Sequence, residues 1–462
     1  MRIFMRILLL GRQAVSVAWA VGLLAACHRA TPPAAAPRCV GRCVQMMPTA
    51  SALTPGTPTP SAAPPGALRL AWSATEVAVN FYGTEVAVWL HDARASPLGR
   101  GNLFDVFIDA QPPIRLEMHP KQSYYVLQTA LPAAAHRVRL VKRTEAAVGE
   151  AIFSGFDVGT SGHLLPPPPA LKRRIQILGD SISAGYGNEG LSQHCHFSPA
   201  TQNVSLTYGV LAAQALQAEA TVLAWSGRGL MRNGDGSLHP TLPELRDLAL
   251  PERPETQVPA PPRPRRFWFG EEAQPPAHLQ LRLAHAELDG DPRSESSAKP
   301  QPKLAAVTAP AAATARWKET AAFVENIPAE IPAEAAPDAV IINLGTNDFA
   351  GGIPDQKAFT RAYTELLAAL RQRYPDAYLL CTVGPMLSDS SPVGELQLSA
   401  ARLFVHQAAT AQRQTGDLRV GFLEFPMQTD AQGYGCDWHP NLATHAAMAK
   451  KLTGALRDAL GW

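Results

Sequence analysis

The chain has 462 residues, room for two or three domains, and its 41 Lys plus Arg against 39 Asp plus Glu give a formal net charge of +2. That near-balance excludes an electrostatic argument for nucleic acid, which needs a clustered basic face. Hydrophobic content of 46% is ordinary for a globular protein, whereas the 42 prolines are concentrated in segments that bury no core.

Arg2, Arg6 and Arg12 precede an apolar run, "VSVAWAVGLLAA", that ends at Cys27. The run is too short to span a bilayer comfortably and fits the apolar region of a signal peptide over residues 1–27. Its ending, "LLAAC", resembles the lipobox of bacterial lipoproteins, which implies lipidation of Cys27, export to the cell envelope and a membrane contact through that anchor. Export puts the other cysteines in an oxidising compartment. Five remain, so one is expected unpaired. Cys39 and Cys43 either bridge each other or do nothing structural. Cys381, inside the apolar "AYLLCTV", reads as a buried inert thiol. Cys195 and Cys436 are left as a candidate pair.

Residues 28–66 are rich in Pro, Ala, Thr and Ser and read as an extended tether. From 67 to 165 short alternating runs such as "EVAVNFYGTEVAVWLHD", "LFDVFIDAQ" and "HRVRLVKR" are broken by Gly, Pro, Asp and Asn. Strands at this spacing predict an antiparallel β-sandwich.

After "LLPPPPALK" the pattern changes to strand–helix alternation, which defines a second domain over 171–462. "RIQILG", "TVLAW", "AVIINLG", "AYLLCTV" and "VGFLEF" predict a five-stranded parallel sheet with crossover helices. Phe359, Tyr363, Leu366, Leu367 and Leu370 recur at helical spacing behind Asp355, a candidate N-cap. A last helix after "HPNLAT" places Met448, Leu452, Leu456 and Leu460 on one face. A Pro- and Ala-rich stretch at about 251–316 interrupts this domain and reads as a low-order insertion.

Chemistry-bearing residues gather where a parallel sheet places its active site, at the C-terminal ends of strands. "ILGDSISAGYG" puts Ser181 at a strand-to-helix turn, where backbone N–H groups can stabilise negative charge. Gly-Asp-Ser is also ordinary turn chemistry. "AWSGRG" places Gly227 after the next strand, and "IINLGTND" places Asn347 after another. An Asn amide there can donate to an oxyanion or make an Asx-turn. "YGCDWHPN" carries His439, which in isolation reads as a base, a metal ligand or a packed core residue. His445 and the "HCH" at 194–196 lack the spacing of a known metal motif, so no metal and no cofactor is expected.

Taken in this order, the blocks resemble the SGNH (GDSL) hydrolase family. The resemblance implies Ser181 as nucleophile, His439 as general base, and an oxyanion hole from the Ser181 and Gly227 N–H groups and the Asn347 side chain. "FYGTEVAVWL", "HRVRLVKRTEAAVGEAIFSGF", "GYGNEG", "SGRGLMRN" and "GCDWHP" further resemble carbohydrate esterase family 2, whose members carry an N-terminal β-sandwich (jelly roll) ahead of an SGNH domain. That implies a serine esterase removing O-acetyl groups from xylan- or glucomannan-type carbohydrate. The alternatives are a lipase or lysophospholipase-type esterase, and a non-catalytic carbohydrate-binding lipoprotein. In most SGNH enzymes the acid that orients the histidine lies three residues before it, and here Cys436 stands there. Asp437 is one residue closer and is the candidate orienting acid, with a backbone carbonyl as the other option. Trp225 and Trp438 flank the proposed site as either a substrate wall or packing residues.

Overall fold

The computed structural model describes residues 36–46, 67–94, 101–253, 256–261, 329–330 and 334–462. The leader with Cys27, most of the tether and most of the insertion lie outside the described residues.

Two antiparallel sheets form the first half. One runs β1 (Arg38–Val40), β4 (Glu76–Gly83), β9 (Ala134–Lys142), β6 (Leu103–Ile108), β7 (Ile114–Glu117), with β11 (His163–Leu165) also on β4. The other runs β14 (Ala329–Glu330), β2 (Cys43–Met46), β3 (Leu68–Leu70), β10 (Glu150–Asp157), β5 (Val86–Arg94), β8 (Tyr124–Gln128). Alternation drives this packing. In β9, His136, Val138 and Leu140 turn inward while Arg137 and Arg139 face out. The inward set pairs with Phe81, Val79 and Val77 of β4. Val77, Val79, Phe81, Val138 and Leu140 join Val88, Leu90, Phe104, Val106 and Phe153 in one core between the sheets.

The sandwich reaches further than the 67–165 read from sequence. Residues 38–46, assigned there to the tether, supply β1 and β2, which pair with β4 and β3. A disulfide joins Cys39 to Cys43 across the turn between them. At the far side of the insertion, β14 returns to pair with β2, Ala329 opposite Met46.

All five predicted parallel strands are present: β12 (Arg173–Gly179), β13 (Ala218–Ala224), β15 (Ala339–Asn343), β16 (Tyr378–Val383) and β17 (Val420–Glu424). Their order is β13-β12-β15-β16-β17. β15 and β16 are buried at every position because helices cover both faces, which explains their unbroken apolar sequence. The helices are α1 (Ser181–Ala184), α2 (Tyr208–Ala215), α3 (Leu242–Leu245), α4 (Gln356–Arg373), α5 (Gln397–Gln414) and α6 (Leu442–Leu460). Asp355 caps α4 through a 2.8 Å bond from the Ala358 N–H, and the five residues predicted on its apolar face are the buried ones. Each such side chain removed from water contributes about 1.5–3 kcal/mol. Met448, Leu452 and Leu456 of α6 are likewise buried, with Leu460 partly so.

Sandwich and α/β domain share a polar seam. Fully buried Arg143, just after β9, donates to Gln202 O (2.9 Å) and Asp105 Oδ1 (2.8 Å) and also pairs with Glu189. Asp105 in turn accepts from Ser205 Oγ at 2.6 Å. The Trp72 indole N–H donates to Leu248 O at 2.9 Å.

Candidate active site

The sheet reverses direction of growth at β12, which has β13 on one side and β15 on the other. In doubly wound sheets the ligand crevice opens at that switch point. Ser181 leaves the C-terminal end of β12 and opens α1, and the turns after β13 and β15 carry Gly227 and Asn347 on either side of it.

Asp180 sets the turn at Ser181. Its carboxylate caps α1 by accepting the Ile182 N–H at 3.0 Å. Burial pushes this carboxyl up to about 7, against the pull of that hydrogen bond. Ser181 itself is 7% exposed.

His439 Nε2 lies 2.8 Å from Ser181 Oγ. Its Nδ1 faces two backbone carbonyls, Cys436 O at 3.2 Å and Asp437 O at 3.1 Å. Carbonyls only accept, so the proton sits on Nδ1 and leaves the Nε2 lone pair toward the serine hydroxyl. Burial of the ring pushes His439 down to about 4, so the imidazole is neutral at physiological pH.

The Asp437 carboxylate does not face the His439 ring. It accepts from Tyr186 OH (2.8 Å) and the Phe197 N–H (3.1 Å) and contacts His196 Nδ1 at 2.8 Å. This corrects the expectation of Asp437 as a carboxylate partner: the residue serves the ring through its main-chain oxygen. The reason is backbone geometry, since Asp437 and Trp438 are both left-handed (φ +52° and +57°) and turn the carbonyls, not the carboxylate, inward. Burial raises the Asp437 carboxyl, but its hydrogen bonds outweigh that and hold it below the usual range. Its Tyr186 partner stacks on the imidazole at 4.1 Å between ring centroids, and Phe197 stacks on Tyr186 at 4.6 Å. The carboxylate therefore braces the His439 ring indirectly, through Tyr186.

Cys195 and Cys436 form a disulfide, with Cα atoms 4.6 Å apart. It is flanked by bonds from the Asp437 N–H to Cys195 O and from the Cys436 N–H to Gly187 O, each 3.0 Å. A Cβ at Gly190 would lie 2.4 Å from Cys436 Sγ and 2.6 Å from Cys195 Sγ, so only glycine admits the bridge there. Cys381 is a buried free thiol, pushed up to about 12 by burial.

Gly227 adopts φ +80°, with open space where a side chain would stand. Asn347 Nδ2 donates to Arg228 O at 2.9 Å, and the amide has a second hydrogen to offer. The tryptophans differ. Trp225 is 9% exposed in the core, with the Arg228 guanidinium 5.2 Å above its ring, so it packs. Trp438 is 54% exposed, edge-on to His194 at 6.1 Å. His445 is buried in α6, accepts the Tyr208 N–H at 3.2 Å, and is pushed down to about 3 by burial.

Sequence reasoning missed three braces. Asp348, beside Asn347, accepts the N–H groups of Leu230, Met231 and Arg232 at 2.8, 2.9 and 3.0 Å and fixes the loop behind Gly227. Tyr186 stacks on the His439 ring, and Glu145 of the sandwich bonds Ser226. Their only sequence signal is position: an acid next to Asn347, an aromatic between two glycines, and a lone acid in "KRTEA".

Both domains of the chain are similar to known proteins. Residues 61–168 match the family model described as Carbohydrate esterase 2 N-terminal, and residues 175–452 match GDSL-like Lipase/Acylhydrolase. The cellulase/esterase CelE of Acetivibrio thermocellus is 33% identical over 398 residues, 86% of this chain but 38% of that protein. An acetylxylan esterase / glucomannan deacetylase of Cellvibrio japonicus is 25% identical over 368 residues, 78% of this chain and 76% of that one. Among solved structures, a family two carbohydrate esterase from Clostridium thermocellum in complex with cellohexaose is 32% identical, with a TM-score of 0.63, covering 86% of this chain and 95% of that chain. A Corynascus family 2 enzyme with a carbohydrate binding domain is 28% identical, with a TM-score of 0.64 over 92% of this chain and 100% of that one.

Proposed function

Because this chain belongs to carbohydrate esterase family 2, a family of SGNH-type carboxylic-ester hydrolases, we propose that it removes O-acetyl groups from polysaccharide or oligosaccharide through an acetyl-enzyme on Ser181. The observation that carries the reading is the 2.8 Å contact between Ser181 Oγ and His439 Nε2, with Nδ1 committed to backbone carbonyls.

Neutral His439 takes the Ser181 proton as Oγ attacks the acetyl carbonyl. Negative charge develops on the carbonyl oxygen, where the Ser181 and Gly227 N–H groups and the free Asn347 amide hydrogen stabilise it. Each such donor is commonly worth about 2.7–4 kcal/mol. The imidazolium, held by the Cys436 and Asp437 carbonyls, protonates the departing sugar oxygen. Water, deprotonated by the same ring, then releases acetate and restores Ser181.

The names of the Cellvibrio relative and the Clostridium complex support an acetylated plant-type glycan as substrate, and exposed Trp438 offers an apolar face for a sugar ring at the mouth. The arginine-flanked apolar run ending at Cys27 and the two disulfides support an exported, lipid-anchored enzyme. Acetate release from acetylated xylo- and manno-oligosaccharides tests the reading. The expected result is release by the wild type and none by a folded Ser181→Ala variant. A preference for long-chain p-nitrophenyl esters over acetate would instead assign a lipase-type substrate.

A further inference from the structure

One buried carboxylate of the sandwich reaches into the active site of the other domain. Glu145 follows β9 and is 1% exposed. Its Oε2 accepts the Ser226 N–H at 2.7 Å, and its Oε1 accepts Ser226 Oγ at 2.6 Å. Ser226 immediately precedes Gly227, so this fork grips one end of the peptide unit that carries the Gly227 N–H. The other end is fixed too, because Gly227 O accepts the Gly234 N–H at 2.8 Å. Glu145 Oε1 also accepts Gln202 Nε2 at 3.1 Å, and the same amide nitrogen donates to Ala184 O, 3.3 Å away at the end of the helix that Ser181 opens. Lys142 Nζ, fully buried, holds the turn by donating to Thr144 O (2.9 Å) and Glu145 O (3.1 Å).

We infer that Glu145 is a positioning residue: the sandwich uses it to aim the Gly227 N–H at the oxyanion and to tie that donor to the nucleophile helix. The inference rests on the serine-esterase reading above. The sandwich is then a working part of the catalytic site and not only a carrier or carbohydrate-binding appendage. Burial raises the Glu145 carboxyl against the pull of its hydrogen bonds from Ser226 and Gln202, and a buried carboxyl is costly unless its oxygens are satisfied. Both oxygens here are committed to Ser226, with Gln202 tying Oε1 to the end of the Ser181 helix. An oxyanion donor acts only in the transition state, so misaiming it lowers kcat without changing substrate affinity.

The test is steady-state hydrolysis of p-nitrophenyl acetate by the full chain and by Glu145→Ala, Glu145→Gln and Ser226→Ala, with thermal melts of each. Glu145→Ala is expected to lose about 10- to 100-fold in kcat, since a misplacement of about 1 Å can cost 100-fold, with KM within about twofold of wild type. Glu145→Gln, which keeps one acceptor for Ser226, should fall between. Ser226→Ala, which removes only the Oγ bond, should lose several-fold in kcat alone. A folded Glu145→Ala with wild-type kcat, or a loss confined to KM, overturns the inference. If Glu145→Ala fails to fold, Ser226→Ala decides, and wild-type kcat there overturns it. A wild-type chain that hydrolyses no ester refutes the esterase reading itself, a separate outcome.

Discussion

The two side chains of the proposed catalytic pair are held by opposite means. Ser181 is placed by regular structure: a buried strand ends, Asp180 caps a helix, and the turn follows from sheet geometry. His439 sits on an irregular turn with two left-handed residues and is kept there by long-range ties. These are the Cys195–Cys436 bridge, the Gly187 carbonyl, and a carboxylate that works through Tyr186. Secondary structure can position a nucleophile with local sequence alone. A base that lacks a facing carboxylate needs its support assembled from distant parts of the chain.

The largest expected effect removes either side of the pair. Ser181→Ala and His439→Ala should each lower kcat by about 10⁵–10⁶ and together by little more, because the two act as a unit. Additive losses in the double variant would break the pairing. Next comes the bridge. Cys195→Ser should cost about 2–5 kcal/mol in stability and lower kcat by about tenfold or more, because it frees the turn beneath the base. The equivalent loosening of the nucleophile side, Asp180→Ala, removes a cap worth about 1 kcal/mol, and a thermal melt should rank the two in that order.

Asp437 sharpens the contrast. A triad carboxylate is worth about 10⁴ in kcat. Asp437→Ala should cost less than about 30-fold, because the carbonyls that hold Nδ1 remain and only the Tyr186 brace is lost. A loss near ~10⁴ would show that the carboxylate meets the ring during turnover. The pH profile gives the smallest effect. With His439 pushed down to about 4, kcat/KM should stay flat as pH falls through the ordinary 6.5 and drop only near 4. Stability has the matching sign. His439 and His445 are lowered in the folded state, so the unfolded chain binds more protons below about 6.5. The contribution of these two rings is therefore lost as pH falls from about 6.5 toward 4. Asp180, pushed up to about 7 by burial, contributes the opposite sign over the same window. Urea melts at several pH values should thus show a steeper loss in Asp180→Asn than in the wild type.

The same division explains what could be read from sequence. The five strands, the capped α4 and the faces of α4 and α6 were legible because burial on both sides, or on one stripe, writes a period into the residues. β1 and β2 were not. "RCV" and "CVQM" are too short to show alternation, sit among prolines, and become strands only by pairing with β4 and β3. Ser181, Gly227, Asn347 and His439 were legible as four short blocks, the first three in turns just past β12, β13 and β15 and the last in an irregular stretch after β17. The roles of Asp437, Glu145 and Asp348 were not, because each carboxylate has partners on loops far along the chain. No local pattern records a carboxylate's direction. Asp437 shows this most plainly, since only its φ of +52° decides that a carbonyl and not the carboxylate meets His439.

Labelling Ser181 by a p-nitrophenyl alkylphosphonate is the most direct measurement. The phosphonate needs the same nucleophile, base and oxyanion donors as an acetyl ester. One phosphonyl adduct per chain is expected, located by peptide mass spectrometry on Ser181, with acetate release lost in proportion to labelling. Acetate release that survives full labelling of Ser181, or is lost with the adduct on another residue, would contradict Ser181 as the nucleophile.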